Sequence, residues 1–198
     1  AKESIKDGTP KTIEIDLDSD EMGMGIPCGG YMSVIVEPQL VNKTIFIRGV
    51  GRVVEILCRL ASILKLKVIV QTDENEKEYY SDADKIITDS MDIEDIDFPV
   101  DYFILATHHR NDDQVAYDAI KKGISYVGVV ASAKKTGIIK KFLINHGINE
   151  EEMRFFYSPT GLDFKATTPE QIALSILSEI VMLSNSGSGR HMRDQIEK

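Results

Sequence analysis

The chain has 198 residues, with 32 acidic against 23 basic side chains, a net charge of -9 and 42% hydrophobic residues. That length and composition allow one ordinary domain with a real core and a small appendage, and the negative charge excludes nucleic acid, which is held by replacing phosphate counterions with Lys and Arg. No apolar run reaches the roughly 18 residues of a membrane helix, no signal peptide is read, and the two cysteines, Cys28 and Cys58, make no disulfide framework, so a reducing cytoplasm is the expected setting.

Residues 12–17 alternate apolar and polar and predict a half-exposed strand. The glycine-dense turn at 23–30 follows. Residues 31–38 predict a second strand, with Met32, Val34 and Val36 on one face and Pro38 as its stop. Together they make a β appendage over residues 1–42, and its open strand edges make a homodimer an expected arrangement.

Residues 44–47 form a buried strand that runs into Gly49-Val50-Gly51. In residues 52–65, Val54, Cys58 and Ala61 recur at helical spacing, with Leu57, Leu60 and Leu64 beside them. Cys58 reads as a small core residue. Residues 67–71, rich in β-branched side chains, close a strand–helix–strand unit of about 30 residues.

Residues 73–97 are strongly acidic and read as solvated loops around a short strand at 85–88. A buried strand at 102–107 leads into a polar loop, a short helix at 114–122 stopped by Gly123, and a strand at 126–130. A basic amphipathic helix spans 132–146, a helical turn covers 150–153, and 156–167 reads as irregular. Thr168-Pro169-Glu170-Gln171 has the form of a capping box, with Pro169 at the first helical position, and it opens a last helix whose buried face is Ile172, Ile176 and Ile180. Serine, glycine and charge over 185–198 predict a flexible tail.

This alternation predicts an α/β fold: a Rossmann-like parallel sheet with helices on both faces over residues 43–184, plus the small N-terminal β appendage. Ligands of such sheets sit beyond the C-terminal strand ends, so loops 49–52, 72–74, 107–113 and 131–135 are expected to converge.

Gly49 permits a tight turn, and Gly51 lets backbone N–H groups approach a phosphate or pyrophosphate. The third position of the dinucleotide fingerprint is Val54 in place of Gly or Ala, and Asp73 stands near the roughly 20-residue distance at which a ribose-binding acid follows. The same features fit a plain strand–helix turn. Adjacent strand-end side chains point apart, so His108 and His109 make no two-histidine metal site; His108 is a candidate pocket residue and His109 a surface one. His146 reads as a helix C-terminal residue and His191 as part of the tail. Ser132-Ala133-Lys134-Lys135 is either an anion site at a helix start or a pair of surface lysines. Cys28-Gly29-Gly30 offers free amides and a thiol, as an activated nucleophile, a soft-metal ligand or a free thiol in a turn.

The ordered set Cys28-Gly29-Gly30, Gly49-x-Gly51, Thr107-His108 with Asp113, Gly128 with Ser132, Pro159-x-Gly161-Leu162-Asp163, and Thr168-Pro169-Glu170 through to Glu179 resembles the xanthine dehydrogenase accessory protein family (XdhC/CoxI) over residues 10–185. The sequence departs from that family's pattern at Arg52, Thr72 and Ala131, where His, Asp and Gly are usual. The resemblance implies a C-terminal Rossmann domain and a maturation chaperone rather than a catalyst. Such a protein holds molybdenum cofactor (molybdopterin) while a cysteine desulfurase installs the terminal sulfido ligand, then passes it to a molybdenum hydroxylase of the xanthine or carbon monoxide dehydrogenase type. The cofactor-binding residues expected on this basis are Cys28, Gly29, Gly30, Gly49, Gly51, Arg52, Asp73, Thr107, His108, Ser132, Gly161 and Asp163, with Cys28 on the metal side. Two alternatives stay open: an NAD(P)-dependent oxidoreductase resting on Gly49, Gly51 and Asp73, for which no Tyr-x-x-x-Lys pair is found, and a nucleotide-sensing module.

Overall fold

The computed structural model describes residues 9–16, 30–37, 42–107 and 111–195. The chain divides into two compact units, Ala1–Val41 and Asn42–Lys198. In the first, β1 (Lys11–Asp16) and β2 (Tyr31–Val36) pair antiparallel, with Lys11 opposite Val36 and Asp16 opposite Tyr31. Two strands alone cannot cover a face, and Tyr31 and Ile35 remain 81% and 66% exposed.

In the second unit, β3 (Thr44–Gly49), β4 (Lys67–Gln71), β5 (Lys85–Ile87), β6 (Tyr102–Ala106), β7 (Val127–Val129) and β8 (Phe156–Tyr157) form one sheet in the order β5-β4-β3-β6-β7-β8. Every pairing in it is parallel. The helices are α1 (Arg52–Ile63), α2 (Asp112–Lys121), α3 (Ala133–Asn145), α4 (Glu150–Met153) and α5 (Pro169–Ser184). Among the described residues no helix is long and apolar enough to cross a membrane.

Both faces of the sheet are covered, so its central strands are apolar throughout rather than alternating. On one face Ile45, Ile47, Val68, Val70 and Ile104 pack with Val54, Leu57 and Cys58 of α1 and with Ala173, Ile176 and Ile180 of α5. On the other, Phe46, Ile69, Phe103 and Leu105 pack with Ala116 and Ile120 of α2 and Ile139 and Leu143 of α3. Helix entries follow the sequence closely. The Ser132 hydroxyl caps α3 by accepting the Lys135 N–H, and Thr168 with Gln171 completes the capping box of α5.

Two boundaries differ from expectation. Helix α2 begins at Asp112, two residues early, because the Asp112 carboxylate is itself anchored: Thr107 Oγ1 donates to one oxygen and Lys135 Nζ to the other. The stretch expected to be irregular after residue 155 contributes the sixth strand, β8, where Phe156 lies opposite Val127 and Tyr157 opposite Gly128. Two residues are too few for a period-2 pattern to show. After α5 the chain turns back, with the Gly187 N–H on the Met182 carbonyl at 2.7 Å, and a 3-10 turn follows at Met192–Gln195.

The chain visits β3, β4 and β5 outward in one direction and then returns to the other side of β3 to form β6. That reversal opens a crevice beyond the ends of β3 and β6, and the two strands come closest at Gly49, where an added Cβ would lie 2.2 Å from the Ala106 carbonyl oxygen. Replacing Gly49 with Ala is expected to destabilise the protein by about 3 kcal/mol, since a rigid backbone atom cannot yield. Gly137→Ala, in exposed helix with nothing within 4 Å of the new Cβ, should instead stabilise by about 1 kcal/mol. Urea midpoints of the two variants check both signs.

Candidate functional site

A cavity of about 320 Å³ opens in this crevice, lined by Arg48, Gly49, Gln71, Asp73, Asp89 and Thr107 among others. Its central feature is Arg48, the next-to-last residue of β3. Arg48 Nε donates to Gln71 Oε1 at 2.6 Å and Nη2 to the Met91 carbonyl at 2.5 Å, while Gln71 Nε2 donates to the Asp89 carbonyl at 2.9 Å. Two side chains on adjacent strands thus fasten the loop after β5 over the crevice. The guanidinium lies 5.9 Å from the ring centroids of Phe46 and Phe103. Burial pushes its pKa below the ordinary arginine value, against the pull of the Asp92 and Asp118 carboxylates. Asp73, Asp89 and Asp92 also line the cavity, so among the described residues one cation stands among carboxylates.

The glycine loop lies beside it. Gly51 has φ 85, a conformation glycine adopts without strain, and α1 starts at the next residue with no side-chain cap of its own. The Gly51 N–H donates to Tyr80 Oη at 3.0 Å and to Glu76 Oε2 at 3.3 Å, and the Tyr80 hydroxyl donates to that same carboxylate oxygen at 3.2 Å. Tyr80 is fully buried, and burial raises its phenol pKa. Arg52 sits elsewhere: its guanidinium meets Glu55 at 2.6 Å and Glu170 at 3.2 Å, all in exposed positions, and so joins the starts of α1 and α5. Thr72 Oγ1 is buried without a hydrogen-bond partner among the described residues.

Beyond β6 and β7, Ser132, Lys135 and Asp112 are committed to the fold. Ser132 caps α3 and Lys135 pairs with Asp112. A second cavity, about 470 Å³, is lined by Ala131, Pro159, Gly161, Asp163 and Ser175 among others. The Gly161 N–H donates to Glu179 Oε2 at 3.0 Å, and the Tyr126 hydroxyl donates to the same oxygen. Burial raises the Tyr126 pKa. Asp163 is exposed, and a hydrogen bond from Lys165, whose Nζ is 3.0 Å away, holds its carboxyl below the usual range. A third and larger cavity, about 900 Å³, lies between α1, α5 and the residues after α5. Its walls are largely aliphatic and hold none of the residues expected at a site.

The expected site residues therefore divide. Gly49, Asp73 and Thr107 share the crevice, while Gly161 and Asp163 share the second cavity with Ala131. Gly51, Arg52 and Ser132 turn to partners of their own. Gly30 lies in the N-terminal unit, next to β2. Cys28, Gly29 and His108 lie outside the described residues. Cys58 is a core residue, as expected, its thiol pushed up to about 12 by burial. Among the described residues no three His, Cys, Asp or Glu side chains group to hold a metal. Sequence reasoning missed Arg48, Glu76 and Tyr80 as site residues. The available signals were a charge inside a buried strand and an aromatic residue inside an acidic run.

Comparison with known proteins agrees with this architecture. The chain is 26% identical over 172 residues to the uncharacterized protein YqeB of Escherichia coli K12, an alignment covering 84% of this chain and 32% of that protein. It is 35% identical over 103 residues to a Bacillus subtilis protein named as a probable xanthine dehydrogenase subunit, covering 50% of this chain and 29% of that protein. The chain thus spans about a third of the length of these curated relatives. A crystal structure of a xanthine dehydrogenase from Bacillus halodurans superposes with a TM-score of 0.63 at 27% identity, over 80% of this chain and 46% of that one. Residues 45–180, from within β3 to within α5, match the family model of the XdhC Rossmann domain, and the chain belongs to the XdhC family.

Proposed function

We propose that this protein is a maturation factor for a molybdenum hydroxylase of the xanthine dehydrogenase type, and that it binds molybdopterin at the Rossmann crevice without turnover of its own. The match of residues 45–180 to the XdhC Rossmann domain carries the reading, and the name of the B. subtilis relative supports the choice of client.

The crevice suits the phosphate end of such a cofactor at Arg48, a half-buried guanidinium already oriented by Gln71 and the Met91 carbonyl. Thr72 adds a hydroxyl along the same wall. The Gly51 amide, committed to Glu76 and Tyr80, is the weaker seat. When bound, the cofactor supplies the molybdenum and dithiolene that the client enzyme uses. The residues of this chain hold it, orient it and keep it in transit. Cys28 is the proposed metal-side contact, a cysteine desulfurase in the cytoplasm the source of the terminal sulfur, and the β1–β2 unit a proposed homodimer contact.

A second reading, an NAD(P)-binding module, draws on Gly49 and Asp73 facing one cavity. The Glu76 carboxylate on the Gly51 amide weighs against it, because a dinucleotide pyrophosphate needs that N–H.

Mass spectrometry of small molecules released from protein purified from its native host should detect molybdopterin or its nucleotide form; repeated recovery of a nicotinamide cofactor instead would reverse the order of the two readings. Arg48→Leu is expected to weaken molybdopterin binding about tenfold or more, one charge-assisted contact being worth about 1.5–3 kcal/mol. Cys28→Ser should shorten retention of the sulfurated form while leaving the desulfo form bound, and equal retention of both forms by the variant would remove the cysteine from the site.

A further inference from the structure

We infer that Glu76, held by Tyr80, locks the phosphate seat at the start of α1 and so decides which phosphate compounds the crevice admits. The inference rests on reading that crevice as the ligand site.

A glycine loop opening a helix in a parallel sheet offers amides to an anion. Here an anion of the chain's own is already in place. The segment after β4 turns back through the Glu76 N–H on the Asp73 carbonyl, 2.9 Å, and continues as a 3-10 helix at Lys77–Tyr80. This path carries Glu76 and Tyr80 across to the loop. The Gly51 N–H reaches both the phenol oxygen and the carboxylate, and the phenol hydrogen closes the triangle onto the carboxylate. The Tyr80 ring is wholly buried, so the phenol is fixed, and through it the carboxylate.

Two further observations bear on what the lock does. The neighbouring cavity already holds Asp73, Asp89 and Asp92, so a pyrophosphate entering toward Gly51 would meet Glu76 at the amide and three more carboxylates around it. Thr72 Oγ1, immediately after β4, is buried in the crevice wall and makes no well-directed hydrogen bond among the described residues. Its hydroxyl faces the Tyr80 phenol without a well-directed bond, which leaves it a donor along the crevice wall. A ligand that meets Arg48 enters without disturbing Gly51. One that relies on the Gly51 amide must displace the Glu76 charge and share the N–H with the Tyr80 phenol. Glu76 is thus a specificity-determining residue against free diphosphates and dinucleotides.

Isothermal titration of the full chain with ADP, and separately with inorganic pyrophosphate, tests this. Glu76→Gln keeps an acceptor for the Gly51 N–H while removing the charge, and Glu76→Ala removes the carboxylate altogether, leaving only the neutral Tyr80 phenol on the amide. Both should bind ADP about tenfold more tightly than the unsubstituted chain. Glu78→Gln, on the same short helix and making the same change in net charge, should stay within about twofold of it. No gain in either Glu76 variant, including no binding by any form, overturns the inference. An equal gain in Glu78→Gln overturns it as well, since net charge alone would then explain the effect. Parallel titration with molybdopterin separates the two proposals. Molybdopterin binding with no ADP gain removes the lock alone, and an ADP gain in a protein that never binds molybdopterin removes the maturation reading alone.

Discussion

The approach of β3 and β6 at Gly49 sets the geometry of everything that could bind a ligand. Parallel pairing aligns Gly49 with Ala106 at the end of both strands, and the backbone there leaves no room for a Cβ. The pairing forces the chain to leave the sheet in opposite directions, through the glycine loop to α1 on one face and through Thr107 to α2 on the other. The crevice between these exits is a topological consequence, present whatever side chains line it. Chemistry is then added by residues one or two positions from the strand ends, where side chains emerge from the core but remain braced by it.

The bracing is done largely by carboxylates. Glu76 accepts the Gly51 amide, Glu179 accepts the Gly161 amide and the Tyr126 hydroxyl, and Asp112 accepts Thr107 and Lys135. Glu76 and Glu179 come from elsewhere in the chain to a donor in a loop after a strand, and Asp112 ties the end of β6 to α3. A buried donor or acceptor left unpaired costs about 1–3 kcal/mol, so such pairs hold loops in one arrangement more firmly than apolar contact on irregular backbone would. Among the described residues that line the crevice, Arg48 is the one arginine. Its fixed position beside the Phe46 and Phe103 rings makes it the point where an incoming anion meets the least repulsion.

The sequence carried the frame of this architecture better than its site. The unit from Thr44 to Gln71 was legible because an apolar run, a glycine pair and a helical repeat follow one another with no competing signal. The α5 start was legible because a capping box is a local device whose partners lie three residues apart. The site was harder to read because its pairs are distant in sequence. Gly51 and Tyr80 are 29 positions apart, and Gly161 and Glu179 are 18. Glu76 and Tyr80 stood within an acidic run that composition marks as solvated surface, and a single buried tyrosine does not alter a compositional average. Asp112 and Asp113 are adjacent and alike, and only the positions of Thr107 and Lys135 decide that Asp112 is the buried one.

These placements also account for a dinucleotide fingerprint that is present only in part. A glycine at the third position lets helix and strand pack closely and leaves the loop amides pointing to the pyrophosphate. Val54 holds that position here and is completely buried against β3. The entry to α1 is therefore stabilised from inside by valine packing and from outside by the Tyr80 phenol and the Glu76 carboxylate. A loop stabilised on both sides has no need of a phosphate to complete it, whereas a loop with free amides does. The fold keeps the Rossmann crevice and its strand order while moving the positive charge from the helix amides to Arg48. On the proposed reading of the crevice, that shift favours a ligand met by one phosphate at the C-terminal end of β3 over one laid along the glycine loop.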